Sequence, residues 1–340
     1  MRLFRSALSC LGLLLLTGGL PLLAQRHWAV AKTFHVGGNG GWDYVTVDAP
    51  RHRLFVTRGE HTMAIDTITG KVLADIPGQV RSHGVALVPK LDRGFITDGG
   101  GSGAILVFDM KTYKILGSIR TMPDSDGIIY DSAANCVLAV SGDGHALMII
   151  NPDVDPTSGK IDSTIDLGGA PEFLASDGSG RVYVNLQDEN QVAVVDLRAR
   201  KVIARWPVAP GGKPVGMAID REHHLLFIGC RDPQKLIVMS TENGKIVAAL
   251  PIGSGNDAVR YFDGQAFASC RDGSLIVVGE KAGKFEVEQT IATADGARTQ
   301  GLDKVTREIF LPTAQLEPSA TGRRPKAIPG TFKVLVVQGN

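Results

Sequence analysis

The stretch RVYVNLQDENQVAVVDLRARKVIARWPVAPGGKPVGMAID, residues 181–220, decides the fold. It holds four short apolar runs, RVYVN, VAVVD, KVIARW and GMAID, with polar, glycine or proline residues between them. Short runs rich in Val and Ile and bounded by turn residues are typical of β-strands, and no helical period runs through the stretch. We therefore predict strands joined by turns.

The run RVYVN has counterparts along the whole chain. Its central residue, Tyr183, belongs to a series whose successive members are 40, 43, 45, 44, 40 and 43 residues apart. The seven centres are Phe55, Phe95, Leu138, Tyr183, Phe227, Phe267 and Phe310. Self-similarity at a nearly fixed period indicates a repeat architecture in which each repeat is one supersecondary unit.

Each repeat supplies about four strands, and seven such repeats predict an all-β fold, a seven-bladed β-propeller of four-stranded antiparallel blades. The predicted blades cover about residues 37–76, 77–119, 120–165, 166–206, 207–250, 251–291 and 292–340. The last repeat ends without a fourth strand, and the run AVAKTFHV at 29–36 precedes the first repeat. We expect 29–36 to pair beside 332–337 and close a single domain over 25–340, since closure removes open sheet edges.

The stretch 181–220 also resembles the YVTN-repeat, YncE-like β-propeller proteins. The resemblance rests on Tyr183, Val184 and Asn185, on the VVD and KV runs that follow, and on PGTF at 329–332. RVYVN lacks the threonine of the family motif, whereas LFVTR at 54–58 keeps it but departs at its first and last places. The resemblance implies a propeller fold and export and leaves the function open. The absence of a Trp-Asp dipeptide at the third-strand ends argues against the WD40 class.

Residues 1–24 are predicted to be a signal peptide. Arg2 and Arg5 precede an apolar run from about Leu8 to Leu16, and Leu22-Leu23-Ala24 suits a signal peptidase. The run is too short to span a bilayer as a helix of the mature protein. We expect an exported protein, periplasmic or secreted, with a retained N-terminal anchor as the alternative.

The charge balance limits the partners. Lys plus Arg number 36 and Asp plus Glu number 35, so no general attraction to nucleic acid or anionic membrane is expected. The chain has no nucleophile-elbow, phosphate-loop or dinucleotide motif. We expect a monomer without a cofactor whose partner is a small polar ligand or an envelope protein or peptide.

The candidate site is the mouth of the central channel, where loops of a propeller converge. The residues just before the innermost strands are Asp43, His83, Asp126, Glu172, Val215, Asp257 and Gln300. The corners between second and third strands add Arg58, Glu60, His61, Asp98, His145, Gln187, Arg231 and Arg271. Crowded carboxylates of this kind have raised pKa values or hold a cation. The alternative is a hydrated channel entrance whose carboxylates cap backbone N–H groups.

The last blade carries a long Pro- and Gly-rich insertion, TAQLEPSATGRRPKAIPG at 313–330. Long insertions of this kind are functional covers or disordered segments. We expect Arg323, Arg324 and Lys326 to form a lid that partly neutralises the acidic mouth.

Three functions remain open on the sequence. The favoured one is a non-catalytic module that binds a ligand or a protein through the mouth. The alternative is a lactonase-like or other hydrolase that uses acidic mouth residues with a metal ion, for which Asp126, Glu172, His83 and Asp257 could supply the groups. The third is a subunit that carries no cofactor itself and docks a redox partner.

Cys230-Arg231-Asp232 and Cys270-Arg271-Asp272 look like a redox or metal pair. The repeat places both triplets at the same blade corner, one blade apart. Strand spacing puts the two cysteines about 11 Å apart, beyond the roughly 7 Å that a disulfide spans. We expect both thiols to stay reduced.

Overall fold

The computed structural model describes residues 27–318 and 325–340. The predicted signal peptide and two residues of the predicted lid, Arg323 and Arg324, lie outside the described residues. Within the described ranges, no helix has the length and apolar character needed to span a bilayer.

Nearly all regular structure is β-strand. The strands are β1 (Trp28–His35), β2 (Val45–Asp48), β3 (Arg53–Thr57), β4 (Gly59–Asp66), β5 (Val72–Val88), β6 (Arg93–Asp98), β7 (Ala104–Asp109), β8 (Ile115–Arg120), β9 (Ser125–Asp131), β10 (Cys136–Ser141), β11 (Ala146–Ile150), β12 (Ser163–Asp166), β13 (Pro171–Ser176) and β14 (Arg181–Leu186). They continue with β15 (Gln191–Asp196), β16 (Lys201–Pro207), β17 (Pro214–Asp220), β18 (Leu225–Arg231), β19 (Gln234–Ser240), β20 (Ile246–Pro251), β21 (Asn256–Phe262), β22 (Gln265–Cys270), β23 (Ser274–Lys281), β24 (Lys284–Ala292), β25 (Gly301–Asp303), β26 (Glu308–Thr313) and β27 (Lys333–Gly339). Two 3-10 turns occupy Ala49–Arg51 and Pro89–Leu91.

The strands form six antiparallel sheets, five of four strands and one of seven strands that runs from β2 to β8. The large sheet arises because β5 is 17 residues long. Its residues from Val72 to Pro77 pair with β4, and those from Val85 to Val88 pair with β6. Divided there, the strands form seven groups of four, in agreement with the repeats.

The seven groups surround one axis. The first strands β2, β5, β9, β13, β17 and β21 contact one another in that order, and β25 contacts β2. Each buried cluster joins two neighbouring groups; Leu138 and Leu147, for example, pack with Val182 and Ala193. The seven repeat centres are all at most 1 % exposed, so the sequence period marks the core between adjacent sheets.

The N-terminal strand closes the ring, as predicted. β1 pairs antiparallel with β27, with Trp28 opposite Gly339 and His35 opposite Lys333. Trp28 is buried, and its Nε1 donates to Gln265 Oε1 at 2.9 Å. Its ring meets Phe267 edge to face at 4.7 Å. The closing strand is therefore anchored both on the last group and on the group before it.

Cys136, Cys230 and Cys270 are buried free thiols, in agreement with the predicted reduced pair. Burial raises the pKa of Cys230 and Cys270 to about 12 and that of Cys136 to about 11. Because the thiolate is the reactive form, these thiols should be inert in the folded protein.

We expect a chain that starts at residue 25 to take up no iodoacetamide while folded. After unfolding without a reductant, all three thiols should be alkylated, as mass spectrometry can count. Only one alkylated thiol after unfolding would reveal a disulfide and contradict the structure.

Candidate functional site

A polar cavity of about 140 Å³ lies where the innermost strands begin. The residues that line this mouth cavity are Asp43, Tyr44, Arg81, His83, Asp124, Asp126, Glu172, Arg231, Asp257 and Arg298. Six of these were predicted from the sequence: Asp43, His83, Asp126, Glu172, Arg231 and Asp257. The volume is below the roughly 300 Å³ at which common ligand pockets begin, so it suits several waters or a compact ligand.

Polar residues on the second strands hold the first-strand backbone of the neighbouring group in place. Four such bonds run from Thr57 Oγ1 to the His83 carbonyl (2.7 Å), from Thr97 Oγ1 to the Asp126 carbonyl (2.6 Å), from Asn185 Nδ2 to the Val215 carbonyl (2.8 Å) and from Ser269 Oγ to the Arg298 carbonyl (2.6 Å). All four donor side chains are fully buried. Three of the four acceptors belong to residues that line the cavity, so its side chains project from a backbone fixed across group boundaries.

His83 lies between two carboxylates. Its Nδ1 is 2.7 Å from Asp43 Oδ2 and 3.5 Å from Asp126 Oδ1. Burial disfavours the imidazolium, but its hydrogen bond to Asp43 and the charges of Asp126 and Asp43 outweigh this effect and raise the pKa of His83 to about 9. Burial raises the pKa of Asp126 well above its ordinary value, although the charge of His83 opposes this.

Asp257 lies between two arginines on the opposite wall. Arg231 Nη2 donates to Asp257 Oδ1, and Arg298 Nε donates to Asp257 Oδ2. The same arginines donate to backbone, Arg231 to the Asn256 carbonyl at 3.0 Å and Arg298 to the Trp42 carbonyl at 2.6 Å. This carboxylate is therefore fully engaged in structure.

Two further carboxylates have partners, one in an ion pair and one in a neutral hydrogen bond. Arg81 Nη1 is 2.9 Å from Asp124 Oδ1, and Gln187 Nε2 donates to Glu172 Oε1 at 2.6 Å. Asp43 pairs with His83, and Asp257 pairs with Arg231 and Arg298. Most carboxylates of the cavity therefore already have a partner.

Nine of the fifteen predicted mouth residues do not line the cavity. Besides Val215, Glu60, His61, His145 and Gln187, they are four residues whose surroundings explain their position. Gln300 is fully buried and donates to the Phe267 carbonyl at 2.7 Å. Arg58 lies 3.5 Å from the centre of the Phe332 ring, and its Nε donates to the Gly41 carbonyl. Both side chains are part of the packing between groups rather than of the channel entrance.

The other two are Asp98 and Arg271. Asp98 accepts hydrogen bonds from the backbone N–H of Val80, Arg81 and Gly100, so it shapes the turn that carries Arg81. Arg271 packs against Gly255 instead of reaching the cavity, whereas Arg231 at the equivalent corner does reach it. The two Cys-Arg-Asp corners are therefore related in position but not in role.

The predicted lid is described only in part. Leu316 and Ala327 form a β-bridge, and both pack against the buried cluster that contains Trp42 and Phe332. Lys326 is exposed and does not line the mouth cavity. A neutralising lid stays a prediction.

Sequence reasoning missed Tyr44, Arg81, Asp124 and Arg298. Three of them precede a predicted mouth position by two residues: Arg81 before His83, Asp124 before Asp126 and Arg298 before Gln300. Residues two apart in an extended chain point to the same side, and this alternation is the signal that could have found Arg81, which lies in β5 with His83. Asp124 (φ 53°) and Arg298 lie outside the strands, so the alternation does not identify them.

The arrangement offers a possible cation site. One ligand atom each of Asp43, His83 and Asp126 lies within 4.8 Å of the other two. Nε2 of His83 and Oδ1 of Asp126 are buried without a hydrogen-bond partner among the described residues. Imidazole and carboxylate donors of this kind suit several divalent metals, and they equally suit a small polar molecule.

No family model and no curated protein sequence matches the chain. Its structure is similar to solved propellers. The structure of RRP9 WD40 repeats has a TM-score of 0.74 at 11% identity and covers 91% of this chain and 98% of that chain. A chain of the Mitotic Checkpoint Complex has a TM-score of 0.72 at 10% identity, with 91% and 93% covered. A chain of Kuenenia stuttgartiensis hydrazine synthase has 0.69 at 11% identity, with 80% and 92% covered. At these identities the likeness shows the β-propeller fold alone.

Proposed function

We propose that the protein is a non-catalytic binding module whose mouth cavity takes a compact polar ligand. The observation that carries the proposal is the pair of buried atoms, His83 Nε2 and Asp126 Oδ1, that lack a hydrogen-bond partner among the described residues. Buried polar atoms in native proteins nearly always have a partner, from the protein, water or a ligand. A ligand with both an acceptor and a donor would satisfy the two atoms at once.

Binding fits the charge pattern better than catalysis. A general base needs a carboxylate or imidazole that is free to take a proton. Asp257 is held by Arg231 and Arg298, and Asp43 is held by His83. Asp126, whose Oδ1 has no hydrogen-bond partner among the described residues, remains available for that role. Mixed charges on fixed walls instead suit recognition of a small molecule that carries both signs.

The mouth proposal predicts a ligand-dependent thermal shift that needs Asp126. The measurement is a thermal-shift screen of zwitterions, lactones and small amines. A ligand at about a hundred times its dissociation constant should raise the Tm by about 3–5 °C. Asp126→Ala should abolish that shift, because it removes an unsatisfied acceptor while breaking no short ion pair.

Asp143→Asn is the matched control, because Asp143 is an exposed carboxylate in the turn between β10 and β11. It should keep the full shift. A ligand that stabilises Asp126→Ala as much as the wild type does not bind in the mouth cavity, and the proposal would then fail.

A metal-dependent hydrolase is the second candidate, favoured by the convergence of Asp43, His83 and Asp126 within 4.8 Å. Three protein ligands with an open position are the arrangement of catalytic zinc sites. Stoichiometric metal in the purified protein together with turnover of a lactone or ester would establish this candidate. Neither result is expected if the mouth is a binding site.

We also propose that the protein is exported and belongs with the YncE-like propellers. Support comes from the pattern of residues 1–24 and from the second-strand motif, whose Thr57 and Asn185 make the bonds between groups described above. In a bacterial envelope its partner would be a small polar ligand, or a protein or peptide. N-terminal sequencing of the envelope-fraction protein should start after Ala24, and a chain that keeps Met1 would count against cleavage.

A further inference from the structure

A second, larger cavity of about 1010 Å³ lies at the other end of the ring. We call it the lower channel. It is lined in part by residues at and just beyond the ends of the innermost strands. These include Asp48 at the end of β2, Arg51 after it, Ser176 at the end of β13 and Arg221 after β17. The mouth cavity, by contrast, lies where the same strands begin.

The walls of the lower channel are mostly apolar. The buried apolar side chains that line it are Tyr44, Val45, Val85, Ala86, Ile128, Leu174, Ala175, Met217 and Ala218. Ile129, Phe173, Ile219 and Leu302 add partly buried apolar surface. A concave apolar wall with few polar groups is the usual form of a small-molecule site.

The side chain of Arg260, which is positively charged, lies in this wall. Arg260 of β21 donates one hydrogen bond, from Nη1 to the Val259 carbonyl at 3.0 Å, and its guanidinium lies 5.3 Å from the centre of the Phe173 ring. Among the described residues, the structure shows no carboxylate paired with it. Burial lowers the pKa of Arg260 to about 10, against a small opposing effect of Tyr44.

Arg260 is partly buried and, unlike Arg53 and Arg298, has no paired carboxylate among the described residues. Arg53 pairs with Asp48, and Arg298 pairs with Asp257. Arg58 is fully buried and also lacks a paired carboxylate there, but its guanidinium donates to the carbonyls of Asn39, Gly40 and Gly41. Tyr44 lines both cavities and packs against Phe173 with ring centres 5.0 Å apart. This aromatic pair lies between Arg260 and the carboxylates of the mouth cavity, which therefore do not neutralise it.

From this geometry we infer that the lower channel binds an organic carboxylate, with its headgroup on Arg260 and its hydrocarbon part along the apolar wall. Arg260 lines the lower channel and is partly exposed to it, with a single hydrogen bond, to the Val259 carbonyl, among the described residues. A carboxylate would accept two parallel charge-assisted hydrogen bonds from its remaining donors. Arg221 and Lys304 add positive charge at the open end, where an anion enters, whereas the charge of Arg51 is balanced by Asp48 and Asp92.

The probe is octanoate, titrated by isothermal calorimetry below micelle formation against the chain from residue 25. Wild type should bind with one saturable site. Arg260→Met should weaken binding about tenfold to a hundredfold, from the usual strength of hydrogen bonds to charged groups. The octanoate affinity of Arg260→Lys should lie between those of the wild type and Arg260→Met, because lysine keeps the charge but lacks the paired donors.

Two controls make the result specific. Lys304→Met removes the same charge from an exposed position at the rim and should change the affinity less than threefold. Octan-1-ol, which lacks the carboxylate, should bind wild type and Arg260→Met equally. Thermal melts should show that Arg260→Met folds, since the Val259 carbonyl is the one hydrogen-bond acceptor of the Arg260 side chain within residues 27–318 and 325–340. The Arg260→Lys and octanol comparisons test the headgroup contact separately.

Unaltered octanoate affinity in Arg260→Met, or no saturable binding to wild type, would overturn the inference. The variant Asp126→Ala should bind octanoate as wild type does, because Tyr44 and Phe173 separate the two cavities. The inference about the lower channel and the proposal about the mouth cavity are therefore tested independently.

Discussion

Asp257→Ala should lower the free energy of unfolding by about 2–4 kcal/mol, measured by urea denaturation. The carboxylate is 7 % exposed and is shared by Arg231 and Arg298. Its removal leaves two guanidinium groups side by side, and loss of one partner of a buried ion pair is strongly destabilising. The range lies below the full value for a buried pair because both arginines keep backbone acceptors and some contact with solvent.

Asp232→Ala is the matched control for this prediction. Asp232 is the carboxylate of the Cys-Arg-Asp corner next to Arg231, its side chain is 74% exposed, and Lys213 lies 3.6 Å away. An exposed pair of this kind contributes little, so we expect a change within about 0.5 kcal/mol. Equal effects of the two substitutions would show that the Arg231–Asp257–Arg298 cluster has no special role in stability.

Trp28→Ala should lower the free energy of unfolding by about 3–5 kcal/mol, the usual cost of removing a buried large aromatic side chain. Trp28 is 1% exposed and fixes β1 to the neighbouring group through Phe267 and Gln265. The substitution leaves a cavity and deprives Gln265 Oε1 of its donor, so the ring loses much of the contact that holds it closed.

Val30→Ala on the same strand is the control, because Val30 pairs with Val337 through the backbone but is 39% exposed. We expect a change within about 0.5 kcal/mol in the same urea titration. A loss below about 1 kcal/mol for Trp28→Ala would mean that closure by β1 contributes little to stability, against our description of the ring.

The repeats predict the fold well because each second-strand centre has to be buried between two sheets. Phe55, Phe227 and Phe310 recur at the period and lie in the core. The fused strand β5 is the main departure. The predicted boundary between the first two blades, after residue 76, falls inside β5, where Gly78 has a positive φ and the pairing changes from β4 to β6.

The site is predicted less completely, because a strand end fixes where a residue lies but not which way its side chain turns. Gln300 and His83 hold equivalent places before first strands. His83 faces the cavity, whereas Gln300 turns to the Phe267 carbonyl. Arg298 reaches the cavity because Asp257 offers a carboxylate, a partner 41 residues away that no local pattern identifies.

The lower channel could not be predicted at all. Its wall residues, such as Val85 and Met217, have the same apolar character as the core between sheets. Only the three-dimensional ring shows that some of them border open space. The sequence likewise does not distinguish Arg260 from an ordinary surface residue of a strand. Its lack of a paired carboxylate among the described residues is visible only in the structure.

The central claim is that the mouth cavity binds a compact polar ligand through His83 and Asp126. A crystal structure of the protein with a ligand from the thermal-shift screen tests it most directly. We predict a ligand atom within hydrogen-bond distance, about 2.6–3.2 Å, of Asp126 Oδ1 and another of His83 Nε2. A ligand bound elsewhere, or a metal ion held by Asp43, His83 and Asp126, would contradict the account.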